Sequence, residues 1–573
     1  MPKAILVSYA GYPYSPSSFL PDNGLAELAG VLAKEGCDAL ILDYGTLSTM
    51  RRLIPDSIHK KLADIYKRLT HYAKGIGGIV ARLILGMELK SIEKELVQFQ
   101  YEEVGRMAEE LAGIVRKEKP VFVGFKLWLG DGFDGSIRMA KRLKREFPGI
   151  KIFAGGPQAD LLEADIYRIT DVFDAVVFGE GEISIPGLLK FSLDKTELKD
   201  IPNLIYYSDG ATHKTNTARV CKLDDLPEAL YDPKTYPAMA GDEKIKIIVF
   251  DESRGCPFHC HFCPHAVKSG DNWRFKSTDK IVEEMESYIK KFNIHVFRYA
   301  GSSTPPKTTV EVARKLIEKK TDVLYATFAH VRATDAKTLP LLKKSGCYSI
   351  FFGIESGDDR ILSKVMNKHS SSDDIRRVLK ASIDAGLFTV GSVIFPAPTE
   401  TKESAGKTLS LIKELFGSRP ECGSVPVQFP GLYPTSEWGK HPENFGFKIK
   451  NPETYKIDMA TYKLKLLFPP KYWQPLPYTL NGRSFKQFAA QTEHLQNDLE
   501  DAGILTMLAD DIALIGRLAG YNSRQYRDIS REIFFSGDWK SFREQVKMIN
   551  KNITTGADYR EEIRRSPLSG DVK

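Results

Sequence analysis

The stretch RGCPFHCHFCPH, residues 254–265, holds three of the seven cysteines of the chain. Cys256, Cys260 and Cys263 have the spacing C-x3-C-x2-C, and they follow directly on an apolar, strand-like run, KIIVFDES. Thiolates are the usual protein ligands of iron–sulfur clusters. Three thiolates on one tight loop can ligate three irons of a four-iron cluster, which leaves the fourth iron open to a substrate or cofactor. The spacing therefore predicts a metal centre on this loop.

A structural zinc site is the alternative, with His259, His261 or His265 as the fourth ligand. Zinc sites more often combine two knuckles of the C-x2-C or H-x3-H type that lie apart in sequence. This stretch has one knuckle and no distant partner pair, which favours the cluster. Because the cysteines are clustered and do not form a disulfide framework, they indicate a reducing compartment, and we expect a cytoplasmic protein.

The cysteine loop opens a series of strand–helix units. Strand-like runs recur at HVFRYAG, VLYATFAHVRA, YSIFFGIESG and FTVGSVIFPAP, and a helical segment separates each run from the next. Serial βα units of this kind predict a full or partial barrel of the TIM type. We assign residues 246–430 to this barrel, which places the cysteines after its first strand.

The chain before the barrel also alternates between strands and helices. KAILVSYA, DALILDYG, PVFVGFKLWL, KIFAGGP and DAVVFGEGE are strand-like, with helical segments between them. This order predicts a Rossmann-like, doubly wound parallel sheet over residues 1–205. Residues 206–245 are polar and irregular and are expected to be a linker, whereas residues 431–573 are expected to be mainly helical. The chain is thus predicted to be an α/β protein.

Composition excludes several classes of partner. Hydrophobic residues make up 42% of the chain and charged residues 27%, with a net charge of +7. The basic residues are spread out and form no recognised nucleic-acid module, so we expect no nucleic-acid partner. The best apolar stretch, residues 75–87, is short and is interrupted by Arg82, so we expect no membrane span. The N-terminus also lacks the features of a signal peptide.

The loop and two later segments resemble the radical S-adenosylmethionine (SAM) superfamily. In that family an aromatic residue usually precedes the third cysteine, as Phe262 does here. FFGIESGDDRILSKVMNK, residues 351–368, is similar to the family's fourth-strand segment, and GSVIFPAPTET, residues 391–401, to its fifth. The resemblance implies a [4Fe-4S] cluster that cleaves SAM reductively to a 5′-deoxyadenosyl radical. The amine and carboxylate of SAM would chelate the open iron.

The same resemblance carries over candidate SAM residues. Glu355 and Ser356 are expected near the ribose, and Arg332 near the methionine carboxylate. The second-strand segment departs from the family pattern, because RYAGSSTPP keeps a glycine but has serines where an acid is common. The cofactor-binding candidates of this domain are Phe262, Gly301, Ser302, Arg332, Glu355 and Ser356.

Glycines at two strand ends of the first domain are either simple turn residues or the edge of a ligand site. AGGP and FGEGE would let a bulky ligand approach the backbone and leave N–H groups free for phosphate. Neither is a G-x-G-x-x-G fingerprint, so NAD is disfavoured. Together with the cysteine loop, this order resembles the cobalamin-dependent class of radical SAM enzymes over roughly residues 1–430. The resemblance implies cobalamin, with candidate contacts at Gly155, Gly156, Gly179, Glu180 and Gly181.

The histidine-donating D-x-H-x-x-G motif of other cobalamin proteins is absent, because one residue too many separates Asp56 from His59. Cobalamin is therefore expected to bind without a histidine from that motif. The best candidates for the lower face of the corrin lie in the loop after the first strand and in the segment after the third. They are Tyr12, Tyr14, Lys126 and Trp128, although the three aromatic residues could equally be packing residues.

The resemblance implies methyl transfer from SAM, via methylcobalamin, to an unactivated carbon or a phosphorus. It also implies a low-potential electron donor of the flavodoxin or ferredoxin type, and we expect a small-molecule or peptide substrate. Two alternatives remain. One is a radical cyclase or ring-rearranging enzyme on the same scaffold without methyl transfer, and the other is a non-catalytic regulatory protein that binds zinc and a corrinoid.

Overall fold

The computed structural model describes residues 1–12, 15–71, 77–301, 303–463 and 473–565. Tyr14 and Ser302, both predicted site residues, lie outside the described residues. None of the helices in the described ranges is long and apolar enough to cross a membrane.

The first sheet has seven strands in the order β2-β1-β3-β4-β5-β6-β7. The strands are β1 (Lys3–Ser8), β2 (Asp38–Asp43), β3 (Phe122–Lys126), β4 (Lys151–Gly155), β5 (Ala175–Val177), β6 (Leu204–Ser208) and β7 (Ala211–Lys214). The helices between them are α1 (Asn23–Lys34), α2 (Leu47–Leu53), α3 (Asp56–His71), α4 (Gly77–Glu118), α5 (Asp131–Glu146), α6 (Pro157–Leu162) and α7 (Gly181–Ser192).

Strands β1 to β5 are parallel, and β6 and β7 add an antiparallel hairpin. Ala4, Ile5 and Val7 of β1 are fully buried, as parallel strands covered on both faces require. Asp22 caps the start of α1 by accepting the Leu25 N–H at 3.2 Å, and the left-handed Gly36 follows its end. Because the sheet is parallel, the strand ends carrying AGGP and FGEGE meet at one edge.

The first sheet continues beyond the boundary expected at residue 205. The β6–β7 hairpin extends it to Lys214. The segment that follows, residues 215–245, is called the strap, and it packs against β2. The Ile41 N–H donates to the Thr235 carbonyl at 2.8 Å, and the Tyr236 hydroxyl donates to the Asp43 carboxylate. The strap is polar in composition, but it is hydrogen-bonded to the first sheet.

The second sheet is parallel, in the order β8-β11-β12-β13-β14-β15, with β16 paired to β14. Its strands are β8 (Ile248–Phe250), β11 (Val296–Tyr299), β12 (Leu324–Ala329), β13 (Cys347–Glu355), β14 (Phe388–Ile394), β15 (Gly423–Ser424) and β16 (Val427–Gln428), and a short antiparallel pair is formed by β9 (Ser253–Arg254) and β10 (Arg274–Phe275). Its helices are α8 (His265–Ser269), α9 (Thr278–Phe292), α10 (Pro306–Lys319), α11 (Leu339–Lys344), α12 (Ser372–Asp384) and α13 (Lys402–Phe416). The predicted partial barrel is confirmed.

The C-terminal region is mainly helical, as predicted. Its elements are α14 (Glu437–Lys440), β17 (Phe447–Ile449), α15 (Tyr455–Ala460), β18 (Tyr478–Leu480), α16 (Phe485–Asp501), α17 (Asp510–Leu518), α18 (Ser523–Ser536), α19 (Trp539–Thr554) and α20 (Ala557–Arg565). The C-terminal helices make contacts with both sheets. Arg560 pairs with Asp322 below β12, and Asn550 donates to the Lys244 carbonyl at 3.0 Å. At the other end, the Tyr12 hydroxyl donates to the Phe534 carbonyl at 3.1 Å.

Candidate active site

A cavity of about 350 Å³ opens between the two sheets. On one side it is lined by strand ends of the first sheet, and on the other by residues around the cysteine loop. The first wall includes Leu6, Gly124, Lys126, Gly155, Gly156, Gly179, Glu180 and Gly181, and the second includes Asp251, Arg254, Gly255, His265 and Lys268. The chain thus brings all five predicted glycine-edge residues to one cavity.

The glycines that line this cavity have no side chains to fill it. A Cβ added at Gly124 would lie 3.2 Å from the Leu6 side chain, and one added at Gly156 would lie 3.0 Å from the Lys126 side chain. Gly156 also has φ +94°, a conformation that disfavours other residues. The N-terminus of α7 opens onto the same space, where Glu180 and Glu182 pair with Arg274 and Arg254. Glycine backbone and apolar side chains such as Leu25 and Phe125 line this site, which suits a ligand with a broad apolar face such as the corrin of cobalamin.

Lys126 and Trp128 form a polar group with Asp22 and Ser8 beside the cavity. The Lys126 Nζ lies 2.8 Å from the Asp22 carboxylate and 4.5 Å from the centre of the Trp128 ring. The Trp128 indole donates to the Ser8 hydroxyl at 3.0 Å, and that hydroxyl donates to Asp22 at 3.2 Å. Burial acts to raise the pKa of Asp22, but the Lys126 cation, the Leu25 N–H and the Lys244 cation together outweigh it and hold the pKa below its usual range. Asp22 was missed from the sequence because it lies in a loop far from Lys126.

Tyr12 does not reach the cavity, contrary to the sequence-based expectation. Its ring packs 6.1 Å from Trp539 and 6.4 Å from His59, and its hydroxyl bonds the carbonyl of Phe534. The Tyr12 side chain therefore packs against the C-terminal helices, whose position the sequence did not predict. His59 is buried in the same cluster, so it is no candidate ligand to a metal in the cavity.

Arg254, two residues before the first cysteine, ties the cysteine loop to the first domain. Its guanidinium donates to Glu182 at 2.6 Å, to Asp251 at 2.8 Å and to Glu27 at 3.2 Å. Glu180 lies 3.5 Å away and also holds Arg274. Burial, followed by the neighbouring Asp251 carboxylate, raises the pKa of Glu27 well above its ordinary value. One arginine therefore pairs with acidic side chains from both domains at the edge of the cavity.

Replacing Arg254 with methionine is expected to lower the free energy of unfolding by about 3–5 kcal/mol, because it leaves buried carboxylates without their cation. The midpoint of urea unfolding of the apoprotein measures this. The matched control is Arg145→Met, which removes an exposed arginine at the end of α5 and should leave the midpoint unchanged. Equal midpoints for both variants would contradict the role given to Arg254.

The three cysteines are free thiols on the loop between β9 and α8. Burial raises the pKa of all three, that of Cys260 to about 12, and the Lys368 ammonium offsets part of this rise. Phe262 packs 5.8 Å from the Trp438 ring. Over the described ranges, no three His, Cys, Asp or Glu side chains surround a point closely enough to hold one metal ion. A donor set of three free thiols suits the larger four-iron cluster.

Glu355 is the last residue of β13 and lies beside the cysteine loop. It is 6% exposed, has the left-handed φ of +63°, and pairs with Lys368 at 2.9 Å. A Cβ on Gly353 would lie 2.1 Å from the Glu355 carboxylate and 2.6 Å from the Lys368 ammonium, so this pair needs a glycine beside it. The structure thus places Glu355 with the cysteine loop, together with a lysine that the sequence did not single out.

A buried acid stands under the second-strand segment where the sequence showed only serines. Glu252 accepts the N–H groups of Ala300 and Gly301 at 3.0 and 3.1 Å and the Thr304 hydroxyl at 2.7 Å. Burial raises the pKa of Glu252 to about 7. The acid comes from the first barrel strand, so a search of the second-strand motif could not find it.

Glu252→Gln is expected to gain stability relative to wild type as the pH rises from about 4.5 to about 7. The folded protein holds the Glu252 proton more tightly than the unfolded chain, so wild-type stability falls through this window, by roughly 3 kcal/mol. Thermal midpoints of both proteins at pH 4.5 and pH 8 measure the effect. Glu283→Gln, at an exposed site on α9, is the control. A difference that stays constant with pH would refute the titration.

Arg332 and Ser356, two other predicted SAM residues, lie next to residues that contact the cysteine site: the His330 ring stacks 3.6 Å from the Phe258 ring of the loop, and Ser356 directly follows Glu355. Arg332 is exposed, on a short turn whose N–H is capped by the His330 ring at 3.2 Å. Ser356 is buried, but its hydroxyl already accepts the Asp358 N–H at 3.1 Å. Sequence spacing could not tell that Arg332 faces solvent while Lys368 is buried.

Two family models match the chain, one on each side of the cavity. The model of the Radical SAM superfamily matches residues 253–412, and that of the B12 binding domain matches residues 87–189. The first range contains all three cysteines, and the second contains Lys126, Gly155 and Gly179.

Curated relatives are distant. An uncharacterized methyltransferase of Pyrococcus horikoshii is 26% identical, over 53% of this chain and 67% of the relative. The anaerobic magnesium-protoporphyrin IX monomethyl ester cyclase of Rubrivivax gelatinosus is 24% identical, over 55% and 58%. The hopanoid C-3 methylase of Methylococcus capsulatus is 24% identical, over 59% and 63%. The chain thus spans only about three fifths of the length of the last two.

Solved structures share the fold along nearly the whole chain. The radical S-adenosylmethionine methyltransferase TsrM of Kitasatospora setae, solved with cobalamin and a [4Fe-4S] cluster, has a TM-score of 0.59 at 14% identity and covers 96% of this chain and 99% of its own. The cobalamin-dependent radical enzyme OxsB has a TM-score of 0.57 at 12% identity, over 95% and 71%. With both domain matches in place, the chain belongs to the cobalamin-dependent radical SAM enzymes, and its cofactors are a [4Fe-4S] cluster, SAM and cobalamin.

Proposed function

We propose that the enzyme transfers a methyl group from SAM, by way of cobalamin, to an unactivated carbon or a phosphorus of a small-molecule or peptide substrate. The observation that carries this proposal is the shared cavity. Gly155, Gly156 and Glu180 form one wall, and Arg254 and His265, which flank the cysteines, form the other. A group held against the first wall and a group held by the cysteine loop would face the same space.

Cobalamin, when bound, supplies a methyl carrier, and the chain supplies its placement. The glycine edge allows close approach to the backbone, and Lys126, fixed by Asp22, presents a cation at the cavity wall. Cys256, Cys260 and Cys263 would hold the cluster. Arg254 fixes the distance between the two domains, since its partners come from both. Such fixed geometry is the main contribution that a protein can make to a transfer between two bound groups.

The names of the relatives support transfer of a methyl group. A methyltransferase and a hopanoid methylase are among them. A further relative, the cytidylyl-2-hydroxyethylphosphonate methyltransferase of Streptomyces wedmorensis, is 25% identical over 39% of this chain. These acceptors differ widely, so the proposal leaves the acceptor at the level of carbon or phosphorus.

A ring-forming reaction without methyl transfer is the second candidate, because the Rubrivivax relative is named a cyclase. The match to the radical SAM model, which spans the cysteine loop, argues against the third alternative, a zinc-binding regulatory protein.

The test uses SAM with a deuterated methyl group and the cofactor-loaded enzyme, reduced by a flavodoxin- or ferredoxin-type donor. A methyltransferase is expected to release S-adenosylhomocysteine and to pass deuterium to the corrinoid, which mass spectrometry detects before any substrate is known. The control is protein loaded with cluster but without cobalamin. Formation of 5′-deoxyadenosine with no deuterium on the corrinoid would overturn methyl transfer and favour the second candidate.

A further inference from the structure

A buried lysine lies against the cysteine loop. The Lys368 Nζ is 5.6 Å from the centre of the Phe262 ring, which stands between the second and third cysteines, and the side chain is only 8% exposed. Its charge acts on Cys256, Cys260 and Cys263 alike.

The segment that carries Lys368 is hydrogen-bonded to the cysteine loop. The His261 N–H donates to the Met366 carbonyl at 2.9 Å, and the Asn367 side chain donates to the His259 carbonyl at 2.8 Å. A π-helical turn, Ile361–Val365, precedes the segment, and Asn367 has the left-handed φ of +49°. Irregular backbone of this kind persists where the surrounding structure holds it. Lys368 is therefore fixed relative to the three thiols.

A four-iron cluster on three thiolates is anionic, and its reduction adds one more negative charge. Nearby charge and solvent exposure set the potential of such clusters. A buried cation acts strongly because neither water nor salt screens it well. We propose that Lys368 is the counter-charge of the reduced cluster and raises its reduction potential, so that an external low-potential donor can give up one electron to it. No bond forms or breaks in this step.

Glu355 moderates this charge. Its carboxylate lies 2.9 Å from the Lys368 Nζ and offsets part of the positive field at the loop. Removing the lysine charge and removing the glutamate charge should therefore shift the potential in opposite directions. A general distortion of the loop would not give opposite signs.

The test is an EPR-monitored redox titration, without SAM, of the reconstituted protein and its variants Lys368→Gln, Glu355→Gln and Lys364→Gln. In Lys368→Gln, reduction is expected to become tenfold less favourable, which is a midpoint about 59 mV more negative. In Glu355→Gln the midpoint should become less negative. Lys364, an exposed lysine of the same π-helical turn, is the matched control and should leave the midpoint unchanged.

The proposal is overturned if Lys368→Gln keeps wild-type iron and an unchanged midpoint, or if both variants shift the same way. Should Lys368→Gln fail to take up iron, Glu355→Gln decides alone, and an unchanged or more negative midpoint there would overturn the proposal. The readout is a potential, so it does not depend on whether the enzyme transfers a methyl group.

Discussion

Replacing Cys256, Cys260 and Cys263 together with alanine is expected to remove essentially all of about four irons per chain while the cobalt stays. The three thiols are the free cysteines of one loop, and alanine leaves no ligand in their place. The glycine edge that lines the cavity belongs to a different sheet, so corrinoid binding should persist.

Metal analysis after anaerobic reconstitution measures both elements at once. The control is Cys221→Ala, which removes an exposed cysteine that is not part of the C-x3-C-x2-C motif and should keep wild-type iron. One zinc per chain and no iron in the wild type would contradict the four-iron assignment. Loss of cobalt together with iron would show that the two sites depend on each other.

Gly155→Trp is expected to produce the reciprocal result, with cobalamin affinity at least tenfold weaker and the iron retained. Gly155 ends β4 and lines the cavity. A Cβ there would meet Val177 at an ordinary 3.6 Å, and Gly155 is not among the glycines with positive φ, so the strand can accept a side chain. The indole would then occupy space that the corrinoid needs.

Equilibrium binding of cobalamin, followed by its visible absorption, measures this effect. Gly155→Ala is the matched control, because a single methyl group leaves most of the cavity open and should weaken binding little. Wild-type affinity in Gly155→Trp, with the protein folded and its iron present, would mean that the corrinoid binds somewhere else.

Short-range patterns predicted the parts of the site that depend on local spacing. C-x3-C-x2-C fixes three thiols on one loop whatever surrounds it, and alternating strands and helices fix a parallel sheet with its glycine ends at one edge. Cys256, Cys260 and Cys263 and the pair Gly155 and Gly156 were therefore predicted from the sequence, with cobalamin, SAM and the cluster implied by the family resemblance.

Long-range packing decided the rest. Lys368 is buried beside the cysteine loop because the segment after β13 hydrogen-bonds to that loop, which spacing does not encode. Glu252, which follows strand β8, accepts a hydrogen bond from the second-strand segment. Tyr12 packs against a helix of the C-terminal region. In each case the deciding contact joins residues distant in sequence.

The contact between the first domain and the last helices has a consequence for biosynthesis. Tyr12 and Phe534 are 522 residues apart, and Phe19 packs 5.0 Å from Phe542. At about 5–20 residues per second, a ribosome needs roughly half a minute to two minutes to cover that distance. The N-terminal domain therefore emerges long before the helices that complete its core, so Tyr12 and Phe19 reach their final packing only after α18 and α19 have been synthesised.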